Sequence, residues 1–284
     1  MTSSPETPIA TASTTDFALV AEGITVMFQR RGGSTVTAVN DVGFRLDPGE
    51  ILGVVGESGS GKSTLGRVVA GFQTVQRGQV RLPSDSGGAT VPRRAGGGRA
   101  GVQMIFQESS TSLNPRMYAA KAVAEAYARG GRIHRDDIDV AIEALARVGI
   151  SSAKARRTPP QLSGGERQRV SIARALAAHP RILVCDEAVS ALDVSVRADI
   201  VNLLADLQDE TGLSMIFISH DLSVVSQLAH RVMVMKLGSL VEIGETRQVL
   251  QNPQHEYTQS LLAAIPRLER APLLDVGRHG LATE

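Results

Sequence analysis

From residue 17 onward the apolar positions come in short runs that alternate with stretches spaced as on a helix. Ala18 to Phe28 and Thr35 to Val39 read as strands, with Arg30-Arg31-Gly32-Gly33 as a hairpin signal between them. Ile51 to Val55 is an unbroken apolar run, as in a strand covered on both faces, and the residues from Lys62 suit a helix. A strand at Val102 to Phe106 precedes two helical patterns. One is Tyr118 to Arg129, stopped by Gly130-Gly131; the other is Asp136 to Val148, with Ile138, Ile142 and Leu145 on one stripe and Gly149 past its end. After Pro180 the alternation resumes with a strand at Arg181 to Cys185. A helix at Val194 to Asp209 follows, with Ile200, Leu203, Leu204 and Leu207 on one face and Gly212 closing it. Ser214 to Ser219 reads as a strand and Leu222 to Ala229 as a short helix. Arg231 to Lys236 and Ser239 to Ile243 then form a hairpin about Leu237-Gly238. Thr246 to Gln251 and Tyr257 to Ala264 look helical. The pattern predicts an α/β fold with a helical lobe inserted into its core.

Other stretches lack such a pattern. Met1 to Asp16 is too poor in large apolar side chains to offset the entropy of ordering, and the last twenty or so residues look loose. Pro83 to Ala100 is Ser, Gly, Pro and Arg, which reads as a surface excursion. No internal repeat is visible, so the chain carries machinery for one site.

A length of 284 residues with 42% hydrophobic content suffices for one large domain, or one with a lobe. The net charge of +1 argues against a nucleic-acid partner. The basic clusters at Arg93-Arg94 with Arg99 and at Lys154 to Arg157 lie beside Gly, Ser or Pro and read as solvated loops. Cys185 is the single cysteine, so no internal disulfide forms. Its place in an apolar strand predicts a buried, inert thiol and an intracellular setting. No run reaches the roughly 18 apolar residues that cross a bilayer, so membrane association is expected to come through a partner.

The chemistry sits in three places. Residues 56 to 64 read GESGSGKST between a strand and a helix. Glycines there let successive N–H groups face inward, where they and the helix start stabilise phosphate oxygens. Lys62 adds a point charge for the β- and γ-phosphates, and the Ser63 hydroxyl can ligate Mg²⁺. Asp186 and Glu187 follow an apolar strand, where α/β sheets hold their ligands: Asp186 near the metal, Glu187 placed to polarise the attacking water. Ser163-Gly164-Gly165-Glu166 has capping-box spacing. Capping does not explain the two glycines, which cost up to about 1 kcal/mol each against a good helix former. They permit close backbone approach, so this helix start is expected to be a second phosphate-binding end.

Together these motifs resemble the ATP-binding subunits of ATP-binding-cassette (ABC) transporters, most closely the oligopeptide/dipeptide/nickel importer branch, from about Leu19 to about Leu268. The resemblance identifies GESGSGKST as the Walker A loop and Gln107 in MIFQ as the Q-loop glutamine. LSGGE is then the signature, ILVCDE the Walker B segment, Ser190 to Asp193 the D-loop and His220 the switch histidine. It implies a P-loop NTPase core of the ABC type over residues 17–245, with an N-terminal antiparallel β subdomain, a helical subdomain at about 108–178, and a C-terminal extension at 246–284. The closer affiliation rests on SLNPRM from Ser112, SALDVSV from Ser190 and NPQHEYTQSLLAAIPR from Asn252.

The resemblance also implies roles. Glu187, His220 and Gln107 would be catalytic, and Ser63, Gln107 and Asp186 would hold Mg²⁺. ATP would be bound by Gly56, Ser58, Gly59, Ser60, Gly61, Lys62, Ser63, Thr64 and Asp193, and from a second subunit by Ser163, Gly164, Gly165 and Glu166. Phe28 would stack on adenine, with a core role as its rival. The implied partners are a second ATPase subunit, two transmembrane permease subunits and, indirectly, an extracytoplasmic solute-binding protein, at the cytoplasmic face of the membrane. The alternative is a soluble ABC-type ATPase that remodels a nucleic-acid or ribosomal partner. FQES, DEAVSALD and HEYT stand where FQDP, DEPTSALD and HPYT are common in the family, none at a catalytic position.

Overall fold

The computed structural model describes residues 17–30, 33–83, 98–107, 112–128 and 131–264. Strands β1 (Leu19–Gln29), β2 (Thr35–Leu46) and β4 (Arg77–Arg81) form an antiparallel sheet in the order β2-β1-β4. The sequence pattern stops the second strand at Val39, but β2 continues to Leu46. Asn40 and Asp41 are exposed in succession, Asp41 has φ 51°, and the register with β1 shifts there. A bulge thus absorbs two polar residues, after which Val42, Phe44 and Leu46 return to the buried face. β4 gives no apolar alternation to read, because only Val80 of its residues is buried.

β3 (Ile51–Val55), β5 (Val102–Ile105), β6 (Ile182–Asp186), β7 (Ser214–Ile218), β8 (Arg231–Lys236) and β9 (Ser239–Glu245) form a second sheet, ordered β5-β6-β7-β3-β8-β9. Its neighbours are parallel except β8 and β9. Every residue of β3, β6 and β7 is buried. Successive side chains point to opposite faces: Leu183, Cys185 and Phe217 join one core layer, while Val184, Ile216 and Ile218 join the other. Each such burial contributes on the order of 1.5–3 kcal/mol, which fixes the strand ends where the site is built.

The first layer is covered by α2 (Ala119–Tyr127), α3 (Arg135–Arg147), α4 (Ser152–Ala155), α5 (Gly164–Leu176), α6 (Val194–Thr211) and α7 (Leu222–Leu228). The second is covered by the antiparallel sheet and α1 (Lys62–Ala70). On α6 the buried stripe is Ile200, Val201, Leu204, Leu207 and Gln208; Leu203 is only partly buried. The face is centred on the row 200-204-208, and the Gln208 amide reaches inward to donate to Gly49 O at 2.6 Å. The expected surface excursion falls largely on residues 84–97, outside those described. Its described end is not a solvated loop, since Arg99 donates to Val69 O and Val80 O. After β9 come α8 (Thr246–Gln251) and α9 (Glu256–Ala263), and Val249 and Tyr257 are part of the core. Among the described residues no helix is long and apolar enough to cross a membrane.

Candidate active site

The loop after β3, Asp186 at the end of β6 with Glu187 just beyond it, His220 after β7 and Gln107 after β5 all lie at the carboxyl ends of parallel strands. A cavity of about 540 Å³ opens elsewhere, lined by Tyr127, Leu176, His179, Arg181 and Ser214 toward the opposite strand ends, and takes no part in this chemistry.

In the loop, Gly56 has φ 146°, and a Cβ there would stand 2.1 Å from Met235 O, so only glycine lets the chain leave β3 against β8. Glu57 to Gly59 are exposed at the tip, while Ser60 is buried and its carbonyl accepts from Gly238 N at 3.0 Å. Helix α1 starts after Gly61 with no side-chain cap, and the amides of Lys62, Ser63 and Thr64 have no partner among the described residues. Lys62 is 4% exposed, and its ammonium donates to Gly56 O and Glu57 O, both at 2.7 Å. Burial pushes its pKa down, opposed by the charges of Glu187, Asp186 and Glu57. A buried cation bonded only to neutral oxygens, beside amides without a partner among the described residues, suits an anion.

Ser63 donates its hydroxyl proton to Asp186 Oδ1 at 2.6 Å. Asp186 is 1% exposed; burial raises its pKa, against the Ser63 hydroxyl and the Arg67 charge. Next to it, Glu187 has φ 48°, uncommon for a non-glycine residue, and its N–H donates to Ile218 O at 3.0 Å. That turn swings its carboxylate between two groups. Gln107 Nε2 donates to Oε2 at 2.8 Å, and His220 Nδ1 stands 3.7 Å from Oε1. Cys185 behind them is fully buried, its thiol pushed up to about 12 by burial and the Asp186 charge, as expected of an inert core residue.

The signature segment forms the expected capping box. Ser163 Oγ accepts from Glu166 N at 3.2 Å, and Glu166 Oε2 accepts from Ser163 N at 2.8 Å. Lys154, expected in a solvated loop, pairs with Glu166 at 2.7 Å. The two glycines prove unlike. A Cβ on Gly165 would lie 2.5 Å from Val196 Cγ1, so this glycine is required by packing on α6, whereas Gly164 has room, with Leu192 Cδ2 at 3.6 Å. None of the described hydrogen bonds or ion pairs of Ser163 to Glu166 reaches the phosphate loop of the same chain. Asp193 is exposed and leaves α6 without a side-chain cap, and Val194 beside it is 81% exposed. Phe28 is 42% exposed, which removes the core rival for that ring.

Residues 39–190 match the ABC transporter family, and residues 241–280 match the C-terminal region of oligopeptide/dipeptide transporters. The chain belongs to the ABC transporter family. It is an ATPase of the ATP-binding-cassette type. A protein of Brucella abortus (strain 2308) named as a peptide import ATP-binding protein is 45% identical over 246 residues, covering 84% of this chain and 72% of that protein. The glutathione import ATP-binding protein GsiA of Escherichia coli (strain K12) is 46% identical over 235 residues. That is 82% of this chain, which spans only 38% of GsiA. Among solved structures, the dimeric cassette MJ0796 in a post-hydrolysis state bound to ADP and Pi superposes with TM-score 0.68 at 26% identity, covering 81% of this chain and 99% of that one. CbiO1 of Clostridium perfringens gives TM-score 0.71 at 25% identity, covering 84% and 92%.

The cassette fits its nucleotide. Unpartnered amides and a buried ammonium suit phosphate, and the donors expected to hold Mg²⁺ are all hard oxygens from a hydroxyl, a carboxylate and an amide. No group of three or more His, Cys, Asp or Glu residues able to hold a metal occurs among the described residues. Sequence reasoning missed the supports around the loop: Gly238 on Ser60, and Tyr257, whose hydroxyl accepts from Glu57 N at 3.1 Å. Neither had a readable signal, because the partners of the second are 200 positions apart.

Proposed function

We propose that this chain is the ATP-hydrolysing subunit of an importer, peripheral at the cytoplasmic face of the membrane, coupling ATP turnover at a cassette dimer to uptake of oligo- or dipeptides. The observation that carries the shared site is that the chain presents two phosphate-seeking helix starts which do not bond to each other. The α1 start has its amides unpartnered, and the α5 start keeps the amides of Gly164 and Gly165 unpartnered among the described residues. A second copy or a sibling subunit would bring its Ser163 to Glu166 over the phosphates held here, with exposed Asp193 and Val194 at the contact.

Mg²⁺, when bound by Ser63, Asp186 and Gln107, neutralises β- and γ-phosphate oxygens. Lys62 holds the same phosphates, and Phe28 offers its exposed ring to adenine. Glu187 orients the water and accepts its proton as the water oxygen bonds to the γ-phosphorus and the bond from that phosphorus to the bridging oxygen breaks. Gln107 holds one Glu187 oxygen by its hydrogen bond until then, and His220 stands beside the other, placed to contact the γ-phosphate. Loss of the γ-phosphate removes the charge that both helix ends share, so the dimer distinguishes ATP from ADP. Closure would move the helical lobe beyond Gln107, and with it a permease subunit docked there. The match at residues 241–280 and the import proteins named above support the peptide importer over the soluble remodelling ATPase.

Glu187→Gln is expected to bind ATP, to lower turnover about a hundredfold or more, and to trap a dimer in size-exclusion chromatography with Mg·ATP. Normal turnover would remove Glu187 from its role. A monomer at every nucleotide and protein concentration would remove the shared site.

A further inference from the structure

The last described helix, α9, meets the phosphate loop through a hydrogen bond. Tyr257, on the first turn of α9, is 5% exposed, and its hydroxyl accepts the Glu57 N–H at 3.1 Å. That N–H shares a rigid, planar peptide unit with the Gly56 carbonyl. The carbonyl in turn accepts the Lys62 ammonium at 2.7 Å. One peptide is therefore pinned at both ends, by the phenol on one side and by the phosphate-binding lysine on the other. Donating the N–H also polarises the unit, which makes the carbonyl a better acceptor.

The phenol itself is held firmly. Glu242 on β9 accepts the backbone N–H groups of Gln254 and His255 at 2.8 and 3.1 Å, fixing the approach to α9. His255 Nδ1 accepts from Tyr257 N at 3.0 Å and caps the helix. The Lys236 ammonium lies 4.6 Å from the centre of the Tyr257 ring. Lys236 ends β8, next to Met235, whose carbonyl abuts Gly56. Strand β8, helix α9 and the loop thus form one packed unit.

We propose that Tyr257 is a positioning residue for ATP binding: its hydroxyl holds the Gly56–Glu57 peptide so that the Gly56 carbonyl keeps the Lys62 ammonium aimed at the phosphates. The C-terminal segment is then part of the nucleotide site of its own chain. This inference rests on the reading of Lys62 as a phosphate ligand. The hydroxyl acts through the lysine and takes no part in the reaction itself.

The test compares wild type, Tyr257→Phe and Lys62→Ala, each as the full chain, by ATP affinity, steady-state ATPase kinetics and melting without nucleotide. Phenylalanine keeps the ring and its contact with Lys236 and removes only the hydroxyl. Tyr257→Phe is expected to raise both Kd and KM for ATP about fivefold, as for loss of one hydrogen bond, with kcat within twofold of wild type. Its nucleotide-free melting temperature should stay within about 2 °C of wild type, because the buried ring is unchanged. ATP affinity equal to wild type in Tyr257→Phe, with Lys62→Ala impaired, overturns the inference and leaves the site reading standing. Wild-type ATP affinity in Lys62→Ala overturns the site reading itself. A melting temperature lowered by more than about 5 °C in Tyr257→Phe assigns the hydroxyl to stability and likewise overturns the positioning role.

Discussion

The chain begins two helices with glycine-rich turns, and they are finished differently. At α1 the residue before the helix is Gly61 at φ 101°, no side chain caps the turn, and the amides stand open above a buried lysine. At α5 the preceding residue is Ser163, whose hydroxyl takes the Glu166 amide while the Glu166 carboxylate takes the Ser163 amide. The first end is left unsatisfied by its own chain and so needs an anion. The second is half satisfied and keeps its Gly164 and Gly165 amides without a partner among the described residues. On the proposed reading the difference would separate a primary binding site from a cover: one would bind by itself, the other only when a loaded partner arrives.

The largest expected effect falls on the open end. Lys62→Ala should weaken ATP binding about tenfold to a hundredfold, the range for one charge-assisted phosphate contact, measured by titration on the isolated chain. An equal loss in a dilute Ser163→Ala monomer would erase the contrast, because the cover would then serve its own loop.

A smaller effect separates the paired glycines. Gly165→Ala gains helix propensity but drives a methyl into Val196, for a net loss of about 1 kcal/mol in denaturant unfolding. With Val196→Ala in the same chain the sign should reverse, since the space is then free. A stabilising Gly165→Ala in the wild-type background would mean that packing does not require this glycine.

The smallest effect is the cap itself. Ser163→Ala should lower stability by about 1 kcal/mol, or roughly 3 °C in melting temperature, while the dilute monomer keeps wild-type ATP affinity. An unchanged melting temperature would show that the Glu166 arm alone suffices, supported by its ion pair with Lys154.

Much of this was readable along the chain because each motif is local. The phosphate loop, the Asp186-Glu187 pair after an unbroken apolar strand and the Ser163 capping box are set by neighbours a few residues apart, where periodicity and spacing act directly. Strand β4 was invisible because its pairing with β1 involves backbone groups and only Val80 turns inward. The continuation of β2 was hidden by a bulge that looks like a strand end. The role of Gly165 was half legible: a glycine where a helix former would be more stable signals close approach, but its neighbour Val196 is named only by the packing.

Sequence by itself supplied the chemistry to expect: residue types suited to phosphate, oxygen donors suited to a hard cation, and a pair of carboxylates at the end of an apolar strand. Tertiary structure alone decided the company these groups keep. Gln107 and His220 meet on Glu187 because β5, β6 and β7 lie side by side, and Tyr257 reaches Glu57 because α9 packs beside the end of β8. A hydrogen bond between groups 200 positions apart leaves no period or spacing in the chain, since the sheet order that creates it is a property of the whole fold.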